Sequence, residues 1–168
     1  MSLDLSRLAV PALIALLALA GCGGSSSGSK STATTASKPL TQTDRDAVDR
    51  SVRSLVSSVT TYLVKVNRCA QSKRRARCVN AVVKPAEAAV TRTRQTIRTM
   101  QPRTAGPCAA ALTSLLASLT DLTGTLGPLA QATQQGRSTA TTRLGTDAQT
   151  GLRTFAGTST STQQACTG

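Results

Sequence analysis

The sequence predicts an all-α protein: an antiparallel up-down four-helix bundle, stapled by two disulfides and preceded by a flexible tether. Three observations carry this. Four stretches place apolar residues at alternating spacings of four and three, the heptad beat of a helix that turns one face to a core. The connections between them are short, which sets successive helices antiparallel. Beyond Cys22 four cysteines remain, an even set with one pairing that suits such a bundle.

The chain opens with a short polar segment, Met1 to Arg7, then thirteen mainly apolar residues, Leu8 to Ala20, then small residues before Cys22. This is the three-part layout of an export signal. In a helix, thirteen residues reach about 20 Å, short of the roughly 30 Å of a hydrocarbon core. Residues 1–21 therefore read as a signal peptide and not as a spanning anchor.

The residues Leu19-Ala20-Gly21-Cys22 resemble the lipobox of bacterial lipoproteins. The resemblance covers residues 1–22 and says nothing of the remainder. It implies cleavage before Cys22 and a thioether-linked diacylglycerol on the Cys22 sulfur, with or without an N-acyl group. The mature protein is then exported and held at the outer face of the bacterial cell membrane, since two acyl chains anchor far more firmly than one.

Residues 22–42 form the lipidated cysteine and a linker dominated by Ser, Thr, Gly and Ala. With no apolar periodicity, this composition cannot offset the entropy of ordering, so a disordered tether is expected. Residues 43–168 form the bundle domain.

The first helix is expected over residues 43–69. Its seam is Val48, Val52, Leu55, Val59, Tyr62, Val66 and Cys69. Thr43 with Asp46 resembles a capping box with Asp in place of Glu, and Asp46–Arg50, Asp49–Arg53 and Arg45–Asp49 are candidate i,i+4 ion pairs. The second seam runs Val79, Val83, Ala86, Val90, Thr93, Ile97, Met100. Pro85 interrupts it, so either this helix kinks there or its regular part begins there. Thr104-Ala105-Gly106-Pro107 then reads as a turn and a helix start.

The third seam is the most apolar: Cys108, Leu112, Leu115, Leu119, Leu122, Leu126, Leu129. Gly124, Gly127 and Pro128 are expected to bend or split it. The fourth, after Gln134-Gln135-Gly136, uses Ala140, Leu144, Ala148, Leu152, Phe155, Ser159 and Thr162, and is weakened by its Gly and Thr content.

In this topology the end of the first helix and the start of the second share one pole, while the start of the third and the end of the fourth share the other. Only Cys69–Cys78 with Cys108–Cys166 keeps each bond at one pole. The other pairings would cross on the order of 30 Å, whereas bonded cysteines have Cα atoms about 4.4–6.8 Å apart. Free thiols or a four-cysteine metal site are the alternatives, and the second would need all the sulfurs about 2.3 Å from one ion.

The net charge is +13, there is no His or Trp, and the aromatic residues are one Tyr and one Phe. Loss of residues 1–21 removes one cation and one anion, so the excess is unchanged. After Cys22 the carboxylates are Asp44, Asp46, Asp49, Glu87, Asp121 and Asp147. With no imidazole and no positioned base, the many hydroxyls have no activator. No phosphate loop, dinucleotide fingerprint, haem-attachment motif or zinc spacing is present. The expectation is a protein that is not an enzyme and that has no metal and no cofactor other than its covalent lipid.

The run Cys69 to Cys78 holds Lys73, Arg74, Arg75 and Arg77, and the second helix adds Arg94 and Arg98 one turn apart. A disulfide-closed cationic loop loses less entropy on binding than an open one. These six residues are the candidate contacts for an anionic lipid, an anionic wall polymer or an acidic protein. The exported compartment and the scarcity of stacking aromatics argue against nucleic acid. The competing expectation is a carrier of a lipid or other apolar ligand between the helices, in space left by Ala86, Ala89, Ala111, Ala117 and the Gly124–Pro128 break.

Overall fold

The computed structural model describes residues 38–167. The expected signal peptide, Cys22 and most of the expected linker lie outside the described residues, as does Gly168. Four helices follow in order: α1 (Gln42–Ala70), α2 (Arg75–Met100), α3 (Pro107–Gln134) and α4 (Ser138–Ala165). They form the antiparallel up-down bundle that the seams predict. Helix α1 packs on α2 and α4, and α3 packs on α4 and α2. The contacts within α1–α2 and within α3–α4 are the more extensive, so the bundle is two hairpins laid together. Among the described residues, α2 and α4 do not meet.

The heptad positions face the core as expected. All seven residues of the α1 seam are buried, and α3 buries Leu112, Leu115, Leu119, Leu122 and Leu129 completely. At about 1.5–3 kcal/mol for each large apolar side chain, this row and the α1 seam are the main blocks of burial in a domain with two aromatic residues. Those two, Tyr62 and Phe155, are both buried.

Helix ends differ from expectation in instructive ways. The N-cap of α1 is Thr41, paired with Asp44, two residues before the expected Thr43–Asp46 pair. The Asp44 amide donates to Thr41 Oγ1 at 3.2 Å, and that hydroxyl donates to Asp44 Oδ2 at 2.8 Å. Both pairs have the same spacing, but the earlier one lets Leu40 bury beside the cap. Asp49 and Arg53 pair as expected. Arg45–Asp49 and Asp46–Arg50 do not form: Arg45 instead donates to the Leu40 carbonyl at 3.1 Å and the Gln42 side chain at 2.6 Å, and Asp46 accepts from Gln42 at 2.9 Å.

Pro85 lies within α2, not at its start, and the helix continues through it. Pro85 and Ala81, whose carbonyl loses its helical donor, are both exposed, so water can take the missing bond. Helix α3 is likewise one unbroken element through Gly124, Gly127 and Pro128, so the expectation that these residues split it is corrected. All three lie on its exposed side. Helix α4, the weakest by composition, is 28 residues long. Its hydroxyls turn back on the helix: Thr142, Thr146, Thr158 and Thr162 each donate to the carbonyl four residues back, at 2.8–3.2 Å, which satisfies the hydroxyls without itself stabilising the helix. Thr162 also donates to the Ala111 carbonyl of α3 at 3.2 Å.

The two disulfides are Cys69–Cys78 and Cys108–Cys166, with Cα atoms 5.5 and 4.6 Å apart. The first closes the connection between α1 and α2. The second joins the start of α3 to the end of α4. Each therefore ties a hairpin to itself, and neither crosses between the hairpins. On the chain-entropy model, the first contributes roughly 3 kcal/mol and the second roughly 4. Replacing Cys108 and Cys166 with Ala should accordingly lower unfolding free energy more than replacing Cys69 and Cys78, as read by urea denaturation. Non-reducing peptide mapping should recover these two pairs and no mixed pair.

Candidate functional site

Two features of the bundle bear on function: a cationic pole and a groove between the hairpins. The pole is where α1 and α3 end and α2 and α4 begin. The last two turns of α1 bring Lys65 and Arg68, the short connection brings Lys73 and Arg74, and the first turn of α2 brings Arg75 and Arg77. Arg137 and Arg143 arrive from the start of α4. All eight are exposed.

No carboxylate accompanies them. Asp44, Asp46 and Asp49 sit at the other pole, Asp121 lies midway along α3, and Glu87 and Asp147 lie in or beyond the third turn of their helices; Asp147 is one turn from Arg143 but makes no ion pair with it. The result is a charge-segregated molecule, with unneutralised cations on one end. Four cations in one loop were legible as a sequence run. Lys65 and Arg68 directly precede that loop in the chain, whereas the contribution of α4 was not legible, because Arg137 and Arg143 lie 60 or more residues beyond the loop cations and meet them only through the bundle.

The local backbone adds to this. Helices α2 and α4 both start with an Arg in the capping position, with no side-chain cap and no acidic residue in the first turn. Cations next to uncapped N–H groups gain nothing from the protein itself. The sites that would ordinarily take Asp, Ser or Thr are left facing solvent.

Within the pole, Arg75 has a structural task. Its Nε donates to the Ala70 carbonyl at 2.9 Å, satisfying the end of α1. Its guanidinium also lies on Gly136, where a Cβ would come 3.1 Å from Nη1. Gly136 has a φ of 70°, and it ends α3 in a Schellman turn: its N–H donates to Thr133 O at 3.1 Å and that of Arg137 donates to Ala132 O at 3.0 Å. Arg75 thus ties three chain ends together, leaving Lys73, Arg74 and Arg77 as the freer cations of the loop.

Arg94 and Arg98 are not part of this cluster. They lie about 25 Å or more along α2 from Arg77, at 1.5 Å per residue. Arg98 is in the last turn of α2. Arg94 is half-buried at the edge of the groove.

The groove, about 750 Å³, runs between α2 and α3. Val83, Ala86, Val90, Leu126 and Ala130 supply its apolar lining, and Glu87, Thr91, Arg94 and Gln131 its polar one. It exists because small side chains oppose each other here: Gly127 contributes no Cβ, and one built there would meet nothing within 4 Å. Of the alanines expected to leave space, Ala86 lines the groove, Ala89 is packed in the core, Ala111 is half-buried with its carbonyl bonded to Thr162 of α4, and Ala117 is exposed. At one end Gln134 donates to Asn80 at 2.9 Å and joins the two helices.

Tyr62 of α1 lies beneath the groove and donates to the Leu126 carbonyl at 2.9 Å. Burial pushes its phenol well above the ordinary value near 10, and the Glu87 carboxylate adds to the shift. Among the described residues, no three His, Cys, Asp or Glu side chains converge to hold a metal ion.

Tyr62 is the only tyrosine, so ultraviolet absorbance of tyrosinate reports it alone. Because its folded-state pKa is raised, the folded protein holds that proton more tightly than the unfolded chain. The contribution to stability is complete below about pH 10 and is lost as pH rises above it. Absorbance titration should show no tyrosinate near pH 10, with the signal appearing together with loss of helical circular dichroism. In Tyr62→Phe the Leu126 carbonyl loses this second donor but keeps its helical one, at a cost of about 0.5–1.5 kcal/mol in unfolding free energy.

No family model, curated protein or solved structure matches the chain. Its chemistry is therefore read from its own residues.

Proposed function

We propose that this protein is an exported bacterial lipoprotein, anchored at the outer face of the cell membrane through lipidated Cys22, that works without catalysis as an interaction module of the envelope. The observation that carries the reading is the cationic pole: eight exposed Lys and Arg from three helices and their connections, with no carboxylate among them. Folding alone gives no reason to gather charge this way, since like charges brought together oppose compaction. An anionic partner does, because each cation near a negatively charged surface contributes about 1 kcal/mol.

Arg outnumbers Lys at the pole, and guanidinium forks suit phosphate and carboxylate oxygens in pairs. Binding should be salt-sensitive, because exposed charges are screened over about 8 Å at physiological ionic strength. The loop's disulfide and the Arg75 contacts hold the surface in shape before binding.

The groove supports a second reading, a binder of an amphiphile with an apolar chain and a polar head. Its volume is within the range of small-molecule sites, and its lining is mixed. Retention of a fluorescent fatty acid by the purified protein, lost on filling the groove with Ala130→Trp, is the outcome expected of this reading. A protein that binds no such probe rules it out.

For the principal reading, replacing Lys73, Arg74 and Arg77 with Gln should weaken binding to anionic vesicles or polyanions on the order of a hundredfold, from about 1 kcal/mol per cation. Arg98→Gln, at the other pole, should leave it unchanged, and equal effects of the two variants would mean that no particular surface is used. Cys22→Ala should abolish metabolic labelling with palmitate and leave uncut precursor, and labelling that persists would remove the anchor.

A further inference from the structure

A second pocket, of about 370 Å³, lies between the end of α1 and the first turn of α4. Asn67, Arg68 and Gln71 line one wall, and Ser138, Thr141 and Thr142 the other. The lining holds no carboxylate, and Arg68 is its one charged residue. Small-molecule sites run from about 300 to 1,000 Å³, so this pocket has room for one small group.

The two helices that meet here present opposite backbone ends. Helix α1 arrives with its carbonyls, and these are largely taken. Arg75 Nε donates to Ala70 O at 2.9 Å, and the amides of Gln71 and Ser72 donate to Arg68 O and Cys69 O at 3.2 and 3.0 Å. Helix α4 arrives with its amides, and these are open. Arg137 stands in the capping position without a side-chain cap, and no acidic residue follows in the first turn. The N–H groups of Ser138, Thr139 and Ala140 have no backbone acceptor among the described residues. The start of α4 is therefore positive, and nothing in the lining offsets it.

Thr141 adds a donor that the bundle does not use. Among the described residues six hydroxyl side chains are buried. Those of Thr93, Ser118, Thr133 and Thr162 donate to carbonyls within the bundle at 2.8–3.1 Å. Those of Thr141 and Ser159 have no such bond, and of the two only Thr141 lines the pocket. Thr141 is 4% exposed. No fully enclosed side-chain oxygen lacks a partner, so the Thr141 hydroxyl reaches the surface, and the pocket is the opening it lines. Helical Cβ atoms tilt toward the helix start, so a hydroxyl one turn in leans toward the first-turn amides.

We propose that this pocket binds a single oxyanion group, held by the first-turn amides of α4, the Thr141 hydroxyl and the Arg68 guanidinium. Helix starts suit such groups because amide donors and the dipole act together. The site goes beyond the proposed function. It needs neither Cys22 nor a partner surface, and it does not use Lys73, Arg74 or Arg77.

The full chain, purified in neutral detergent, is titrated with phosphate in one arm and acetate in another, with ionic strength held constant by chloride. The amide resonances of Ser138, Thr139 and Ala140 report the site. Phosphate should shift them saturably, with one ion bound per chain. Acetate binding of equal strength assigns the site to oxyanions at large, and weaker binding assigns it to phosphate; both outcomes support it. Thr141→Val removes the hydroxyl at nearly constant volume and should weaken phosphate binding on the order of tenfold, through one lost hydrogen bond to a charged group. Thr141→Ser keeps the hydroxyl and should bind as the wild type does, and helical circular dichroism should be the same in all three.

Shifts that follow salt concentration whichever anion is used, or wild-type binding by Thr141→Val, would overturn the site. If the Lys73→Gln, Arg74→Gln, Arg77→Gln variant loses phosphate binding while Thr141→Val keeps it, the ion is held by the diffuse charge of the pole: the pocket falls and the pole stands as a contact surface. Saturable phosphate binding by a chain that ignores anionic vesicles and polyanions leaves the pocket standing and removes the principal proposed function.

Discussion

The leucine row of α3 is the constraint on which the other elements depend. Five leucines at heptad positions are fully buried, in a domain whose only aromatic residues are Tyr62 and Phe155, and with the buried seam of α1 they supply most of the core. Helix α4 illustrates the dependence. Its composition of Thr, Ser and Gly would not hold a 28-residue helix in water, because most helical stability in proteins comes from packing an amphipathic face. Its backbone packs on Leu122 at Gly151, and Phe155 inserts completely into the core. The Cys108–Cys166 bond then closes the same hairpin at its open end.

The core also determines where charge can go. With a seam along every helix, Lys and Arg are restricted to outer faces and ends, and only six carboxylates are available after Cys22 to compensate them. Three of these are spent at the start of α1, where Asp44 completes the cap and pairs with Arg103 at 3.1 Å and Asp49 pairs with Arg53. The pole where the chain enters is therefore mixed in sign and internally bonded. The opposite pole has only cations. Polarity of the molecule thus follows from how a small acidic inventory is distributed, and the proposed contact surface is what that distribution leaves uncompensated.

The groove arises from the two-hairpin construction. Each disulfide lies within a hairpin, so the α2–α3 seam is held by side-chain packing, by the Asn80–Gln134 hydrogen bond and, where α2 ends, by one from Gln101 to Thr113 at 3.2 Å. Where Gly127, Ala86 and Ala130 face one another there is too little side-chain volume to fill the space, and Tyr62 reaches through from α1 to donate to the Leu126 carbonyl. Tyr62 is read from the sequence as a core residue. Its burial agrees with that reading, while its place beneath the groove depends on a partner helix 64 residues away in the chain.

The fold class and the disulfide pairing were legible because both follow from local periodicity and chain order: a seam repeating every seven residues specifies a buried face, and four such seams with short links allow one polar arrangement of the cysteines. Caps and ion pairs were less legible. Thr41 and Thr43 each precede an Asp by three residues, and the choice between them is made by the burial of Leu40, which a pattern of spacings does not contain. Pro85 and Pro128 were overestimated as helix breakers, since their cost depends on whether the freed carbonyl meets water, and both lie on the solvent side. The sequence by itself determined four helices, their seams, the two cysteine bonds and a large cationic excess, because these depend on neighbours within a few turns. Only the tertiary structure decided that Arg137 and Arg143 join Lys65, Arg68 and the Cys69–Cys78 loop on one pole, that Arg94 and Arg98 do not, and that this pole is the one farthest from chain entry, because helix length and antiparallel packing bring together residues that are far apart in sequence.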